Sequence, residues 1–252
     1  MTWTLDGKRA IVTGASSGIG NGTVTSFLAA GVRVAGLARS DSALRALEKA
    51  WPDDFIGIAV DLTDVRRTEE AVAVAIERLE KVDILVNCAG VGFRANLVET
   101  SDADYQTMFD VNVRAPFIAC RRVIPHMIES GGGAIINVTS SLAAKAARDR
   151  AIYATTKAAV TAMTRSIAID FGTKGIRANC VAPGTTDTPW IQRILAGAPD
   201  ADCLRAQMAA RQAVGRLGRA EEVVSVISFL ASDAASFVHG ASFAVDGGQT
   251  AW

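Results

Sequence analysis

Seven short apolar runs recur along the chain: RAIVT at 9–13, VRVAGLA at 32–38, FIGIAV at 55–60, DILVNCA at 83–89, AIINVTS at 134–140, IRANCVA at 176–182 and ASFAVDG at 241–247. Each is bounded by turn residues and separated from the next by a segment of helix length. Parallel strands need crossovers, and crossovers cover both faces of a sheet. The pattern therefore predicts an α/β fold with a seven-stranded parallel sheet and helices on both faces. The longest interruption, from Thr185 to about Gly218, contains WIQRILAG and DCLRAQMAARQAV and predicts a small helical lid. Residues 154–171, ATTKAAVTAMTRSIAIDF, carry small side chains around much of a helix, which can lie between the sheet and a neighbouring subunit.

Ligands of such sheets bind beyond the carboxyl ends of the strands, where the connection order reverses. After the first run come Gly14, Ala15, Ser16, Ser17, Gly18, Ile19 and Gly20, and then a helical segment. Strand, glycine turn and helix form a cradle for a dinucleotide pyrophosphate: glycines permit the turn and close backbone approach, and the helix N-terminus offers N–H groups. Arg39, Asp61, the stretch Asn87–Gly90, Ser140, and Pro183 with Gly184 follow the next five runs and fall on the same edge. Tyr153 and Lys157 stand four apart, so both project from one helix face. A lysine ammonium beside a phenol favours the phenolate, turning a group that titrates near pH ~10 into a usable acid and base. A nearby Ser140 hydroxyl can hold a carbonyl or alcohol oxygen.

Composition narrows the classes. The chain has 252 residues, half of them hydrophobic, enough for one large core and one domain over 1–252. Its 26 basic residues balance its 26 acidic ones, with no long run of either sign, so nothing suggests nucleic acid or a membrane surface; small molecules and its own copies are the expected partners. No apolar stretch reaches the roughly 20 residues of a membrane span, and MTWTLDGKRA lacks the regions of a secretory signal, so a cytoplasmic location is expected. Cys88, Cys120, Cys180 and Cys203 lack metal-binding spacing, and with only His126 and His239 as imidazoles no metal site is expected.

Together, TGASSGIG at 13–20, Asp61 in VDLT, NCAG at 87–90, Asn112 in DVNV, Ser140, Tyr153 with Lys157, and PGTTDTP at 183–189 resemble the short-chain dehydrogenase/reductase family over nearly the whole chain. The resemblance implies a single-domain Rossmann fold, a subunit that forms a homotetramer, and catalysis by Asn112, Ser140, Tyr153 and Lys157. It implies that Tyr153 takes the alcohol proton during oxidation and returns it during reduction, and that Lys157 also holds the nicotinamide ribose. Asn112 would anchor a water, or else simply bond a neighbouring carbonyl. Cofactor contacts are expected from Gly14, Ser16, Ser17, Gly18, Ile19, Gly20, Arg39, Asp61, Leu62, Asn87, Ala89, Gly90, Pro183, Gly184, Thr186 and Thr188. Asp61 would face the adenine amino group, or else cap the helix that begins near Asp64. Cys88 is a departure, since a second asparagine is more usual there.

At the end of the second run, Ala38 stands where an acidic residue would bind the ribose hydroxyls, and Arg39 follows. An arginine there can bind a 2′-phosphate, which favours NADP(H) over NAD(H); a solvated arginine is the alternative. YATTKAAV, GIRANCVAPGTTDTP and ARQAVGRLGRAEEV resemble a subgroup that includes type 2 3-hydroxybutyrate dehydrogenase and dehydrogenases of 2-keto-3-deoxy sugar acids. This implies a small carboxylate-bearing substrate held by Arg150, Arg193 and Arg211 beside Ser140 and Tyr153, although Arg150 could instead pair with Asp149. NAD-using members of the subgroup carry an acidic residue at the Ala38 position. The readings left open are a 3-oxoacyl thioester reductase, a neutral sugar or polyol dehydrogenase, and a dinucleotide-binding protein without turnover.

Overall fold

Each apolar run becomes a strand, and the seven lie in one parallel sheet. The computed structural model describes residues 4–251. In chain order it comprises β1 (Arg9–Thr13), α1 (Gly18–Ala29), β2 (Arg33–Ala38), α2 (Asp41–Ala50), β3 (Phe55–Ala59), α3 (Val65–Leu79), β4 (Ile84–Asn87), α4 (Asp102–Phe109), α5 (Ala115–Glu129) and β5 (Gly133–Val138). It continues through α6 (Ala151–Phe171), β6 (Ile176–Pro183), β7 (Thr186–Asp187), α7 (Pro189–Ala196), α8 (Ala201–Ala209), β8 (Gly218–Arg219), α9 (Ala220–Ala231) and β9 (Ser242–Val245).

The sheet order is β3-β2-β1-β4-β5-β6-β9, so the connection reverses between β1 and β4. Ile11 pairs with Ala35 and Leu85, and the other strands continue the same parallel register. Side chains alternate between two buried layers. Ile11, Leu37, Leu85 and Ile135 pack with Val72 of α3, Val123 of α5 and Ile167 of α6. Val12, Val34, Val86 and Ile136 pack with Phe27 of α1, Leu44 of α2 and Ile227 of α9. Each such side chain contributes about 1.5–3 kcal/mol on burial, which makes the sheet a rigid base for the loops at its carboxyl edge.

The interruption after β6 carries the two expected helices, α7 and α8, around a small cluster of Ile191, Leu195, Met208 and Leu217. The two-residue strands β7 and β8, paired in parallel, clamp the start of this excursion to its end. They are too short to leave a periodic trace in the sequence. Between α4 and α5 the helix passes through a π turn at Asp110–Arg114, a wider coil that holds Asn112.

Candidate active site

The turn between β1 and α1 is shaped by two glycines. Gly14 has φ +72, and a side chain there would meet the Ala89 backbone at 3.0 Å. A Cβ at Gly20 would overlap the Gly14 carbonyl oxygen, so the first turn of α1 lies directly on the loop. Ser40, Asp64, Ser101 and Asp200 cap α2, α3, α4 and α8 by accepting from backbone N–H groups. Ser17, at the head of α1, makes no such bond, and no acidic residue follows in the first turn. That N-terminus keeps its donors and its positive dipole end for an anion. Together with the glycine-lined approach, this fits the pyrophosphate of a dinucleotide.

The end of β4 is locked to β1 by Thr13, whose hydroxyl accepts from the N–H groups of Cys88 and Ala89, both at 3.1 Å. Asn87 does not face the cleft. Its Nδ2 donates to Asn137 Oδ1 at 2.8 Å inside the sheet, and Asn137 in turn donates to Thr164 on α6 at 2.8 Å. The Asn87 side chain is thus a cross-sheet tie. Leu62 is likewise a core residue. Just beyond β3, Asp61 accepts from the Thr63 backbone at 3.0 Å and the Thr63 hydroxyl at 2.9 Å. These bonds, chiefly the backbone one, with a smaller share from the Arg39 charge, hold its carboxyl below the usual range. The cap of α3 is Asp64, accepting from Arg67 N at 3.0 Å, which leaves Asp61 free of that role. Arg39 is exposed at the end of β2, beside buried Ala38. Thr188 heads α7 and lies 3.5 Å from the Cβ position of Gly18, bringing the lid against the glycine turn. Thr186 bonds the Gly184 carbonyl at 3.2 Å.

Ser140, Tyr153, Lys157 and Asn112 converge beside Gly90. Ser140 caps the short helical turn after β5, accepting from Leu142 N at 3.1 Å, and hydrogen-bonds the Tyr153 phenol. Lys157 is buried, donates to the Val138 carbonyl at 3.0 Å, and has its pKa pushed down to about 8 by burial. A Cβ on Gly90 would stand 3.3 Å from Lys157 Nζ and 3.5 Å from Asn112 Oδ1, so both groups lie close against this stretch of backbone. Asn112 bonds a loop rather than its own helix: it accepts from Val91 N at 2.9 Å and donates to Val91 O at 2.8 Å and to Thr156 at 3.0 Å. Cys88 is near Lys157; burial pushes its thiol up to about 12, and the lysine charge opposes that shift.

The electrostatics around Tyr153 differ from the sequence expectation. Burial raises the phenol above its ordinary value, and the groups that oppose this are Ser140, through its hydrogen bond, and Arg150, through its charge. Lys157 Nζ is 5.8 Å from the ring centroid. Arg150 does not pair with Asp149. Its guanidinium donates to the Phe93 carbonyl at 3.2 Å, while Asp149 pairs with Arg94 at 3.4 Å. Arg94 and Arg211 are both close enough to disfavour the Arg150 charge, which burial also disfavours. Arg150, Arg211 and Arg94 therefore share one region next to Tyr153. Arg193 is exposed on α7, and nothing ties it to that group.

Sequence reasoning missed Arg94, Gly92 and Trp190. The Trp190 ring centroid lies 6.1 Å from that of Tyr153. Trp190 opens the WIQRILAG run and Gly92 follows NCAG by two residues, but no spacing rule links either to Tyr153.

A Rossmann sheet with a dinucleotide cradle and a serine–tyrosine–lysine group at its carboxyl edge defines an oxidoreductase of the NAD(P)-binding class. The family model described as Enoyl-(Acyl carrier protein) reductase matches residues 14–250. The chain is 38% identical over 249 residues to the 2-(R)-hydroxypropyl-CoM dehydrogenase of Xanthobacter autotrophicus, covering 96% of this chain and 98% of that one. It is 41% identical over 250 residues to the cis-4-hydroxycyclohexanecarboxylate dehydrogenase of Sinomonas cyclohexanicum, covering 96% of each. A crystal structure from Beutenbergia cavernae, described as a putative NAD(P)-dependent gluconate 5-dehydrogenase with NADP bound at low occupancy, matches with a TM-score of 0.91. Its sequence identity is 32%, and 99% of both chains is covered. The chain belongs to the short-chain dehydrogenase/reductase family and is an NAD(P)-dependent oxidoreductase.

Proposed function

We propose that the protein interconverts a secondary alcohol and a ketone on a small substrate bearing a carboxylate, with NADP(H) preferred over NAD(H). The observation that carries the substrate class is Arg150, half-buried beside Tyr153 and bonded only to a backbone carbonyl among the described residues. A guanidinium in that state retains donors for a carboxylate, and its fork can make two parallel bonds. Arg211 adds charge from the lid, and the names of the Sinomonas and Beutenbergia relatives, a hydroxy-carboxylate dehydrogenase and a gluconate dehydrogenase, point the same way. For the cofactor, the support is exposed Arg39 following Ala38, with no carboxylate at the end of β2 to repel a 2′-phosphate.

A bound nicotinamide dinucleotide supplies the hydride acceptor or donor. In alcohol oxidation Tyr153 as phenolate accepts the hydroxyl proton, and in reduction it gives the proton back. Ser140 holds the reacting oxygen. Arg150 fixes the carboxylate and at the same time favours the phenolate. Lys157, as a cation, binds the nicotinamide ribose, and Asn112 holds the loop at Val91 against α6. Residues 185–218 serve as the substrate lid of a single domain spanning 1–252. We also assign a homotetramer in the cytoplasm, supported by exposed Phe117 on α5 and Ile169 on α6 and by four free cysteines.

The test is the initial rate of reduced-cofactor formation with NADP and with NAD on hydroxy acids, deoxy sugar acids and their neutral counterparts. Turnover of acids that falls at least tenfold in Arg150→Ala, with NADP the better oxidant, is the expected result. Turnover of neutral alcohols unaffected by Arg150→Ala would remove the carboxylate reading. The acyl-carrier part of the matching family model's description favours one second reading, acyl thioester reduction; oxidation of reduced cofactor by 3-oxoacyl or enoyl thioesters, followed in the reverse direction, would establish it.

A further inference from the structure

We propose that Trp190 is the specificity-determining wall of the substrate site, limiting the substituent on one side of the reacting carbon to a small group, and that Gly92 is the residue that makes room for it. The inference rests on the alcohol–ketone reading above and deepens it. Gly92 is not in the left-handed region, so the turn it occupies does not demand glycine. What its missing side chain provides is space. A Cβ there would lie 2.8 Å from Tyr153 Cδ2, 3.2 Å from Tyr153 Cε2 and 3.3 Å from Trp190 Cζ2. The two aromatic rings thus close on a position in the loop after β4 where an added side chain would collide with them.

Trp190 is also fixed from behind. Thr188 and Pro189, the two residues before it, lie 3.5 and 4.0 Å from the Cβ position of Gly18. The start of α7 is therefore seated on the glycine turn, and Ile191 and Leu195 anchor the helix in the lid cluster. The indole meets the Tyr153 ring at 52° with centroids 6.1 Å apart, a tilted aromatic pair that holds both rings in place. The reacting oxygen must come within hydrogen-bond reach of the phenol, so the carbon that bears it lies beside this wall. One substituent of that carbon leads toward Arg150; the other faces the indole. With the start of α7 seated on the glycine turn and the indole paired with the Tyr153 ring, Trp190 yields less to a longer chain than a mobile side chain would.

The experiment compares wild type, Trp190→Ala and Trp190→Phe on hydroxy acids whose carbinol carbon carries methyl, ethyl, butyl or phenyl. Fluorescence titration with reduced cofactor is measured alongside. In wild type, kcat/KM is expected to fall at least tenfold from methyl to butyl. Trp190→Ala is expected to raise the butyl and phenyl values at least tenfold, flattening the series, with cofactor Kd unchanged. Trp190→Phe keeps the packing of α7 and is expected to fall between the two, so it decides the matter if the alanine variant does not fold. Gly92→Ala is expected to lower turnover on all four substrates alike, because it pushes on Tyr153 itself. A wild-type enzyme that turns over the methyl substrate, with the same size series in both tryptophan variants, overturns the wall and leaves the dehydrogenase reading standing. A folded, cofactor-binding wild type with no turnover on any alcohol or ketone overturns that reading and the wall with it.

Discussion

At the ends of β1 and β4 the site is made of backbone, whereas around Tyr153 it is made of side chains arriving from separate stretches of chain. On the nucleotide side, Gly14, Gly20 and Gly90 bring main chain against main chain or against Lys157, and Thr13 ties Cys88 and Ala89 to the neighbouring strand. On the proposed substrate side, Arg94, Asp149, Arg150, Trp190 and Arg211 come from the loop after β4, the lead into α6, and the excursion after β6. The backbone half suits a ligand shared by many enzymes, since N–H groups and dipoles read phosphate without regard to side chains. The side-chain half can change its ligand by single substitutions while the sheet beneath stays the same.

Two substitutions test whether the halves are separable. Tyr153→Phe removes the proposed proton donor and is expected to lower kcat by about 10²–10⁴-fold while cofactor affinity stays within a few-fold. Near-normal turnover would assign the proton to another group. The same assay carries a pH prediction. Lys157 is held down to about 8 by burial, so in the free protein its cation is lost as pH rises through that value. Because kcat/KM for the reduced cofactor reports the free enzyme, it is expected to fall above about pH 8. A flat profile to pH 10 would show that the lysine charge is not used in binding. Gly20→Ala puts a methyl group into the Gly14 carbonyl and should act on the other half. It is expected to weaken cofactor binding about tenfold or more and to lower stability by about 1–3 kcal/mol, the usual range for overpacking. Unchanged cofactor affinity in a folded Gly20→Ala protein would mean that the glycine turn does not carry the nucleotide.

What could be read from the sequence follows the same division. All seven strands of the sheet were visible as apolar runs, and the glycine turn, Ser140, Tyr153 and Lys157 were visible as motifs, because each depends on spacing within a few residues or on one strand end; Asn112 was reached only through the family resemblance. The partners of those residues were not. That Asn87 turns inward to Asn137, that Asp149 chooses Arg94 over adjacent Arg150, and that Gly92 faces Trp190 are pairings across 50, 55 and 98 positions of sequence, and they are fixed only when the sheet is assembled. The expectation for the Tyr153 pKa missed its direction for a similar reason: burial of the ring is a tertiary property, and it outweighs the Ser140 hydrogen bond and the Arg150 charge that favour the phenolate.

The finest contrast within the substrate side concerns Asp149. Its backbone sits at φ +58, its carbonyl accepts from Ala95 N at 3.1 Å, and its carboxylate is engaged by Arg94. An adjacent carboxylate is the cheapest partner available to Arg150, and once paired with it Arg150 would be lost to a substrate anion. Arg94 thus keeps Arg150 open by occupying its competitor. The pair is exposed, at 68% and 35%, so its strength is on the order of 0.2–1 kcal/mol. Arg94→Ala is accordingly expected to raise KM for carboxylate substrates about 1.5- to 5-fold, with kcat and the KM of neutral analogues unchanged. Rescue distinguishes this from direct contact. If Arg94 acts through Asp149, then Arg94→Ala combined with Asp149→Asn restores the wild-type KM, because no carboxylate remains to compete. If Arg94 instead touches the substrate, the double variant stays as weak as the single one, and the proposed anion site would have three arginines rather than two.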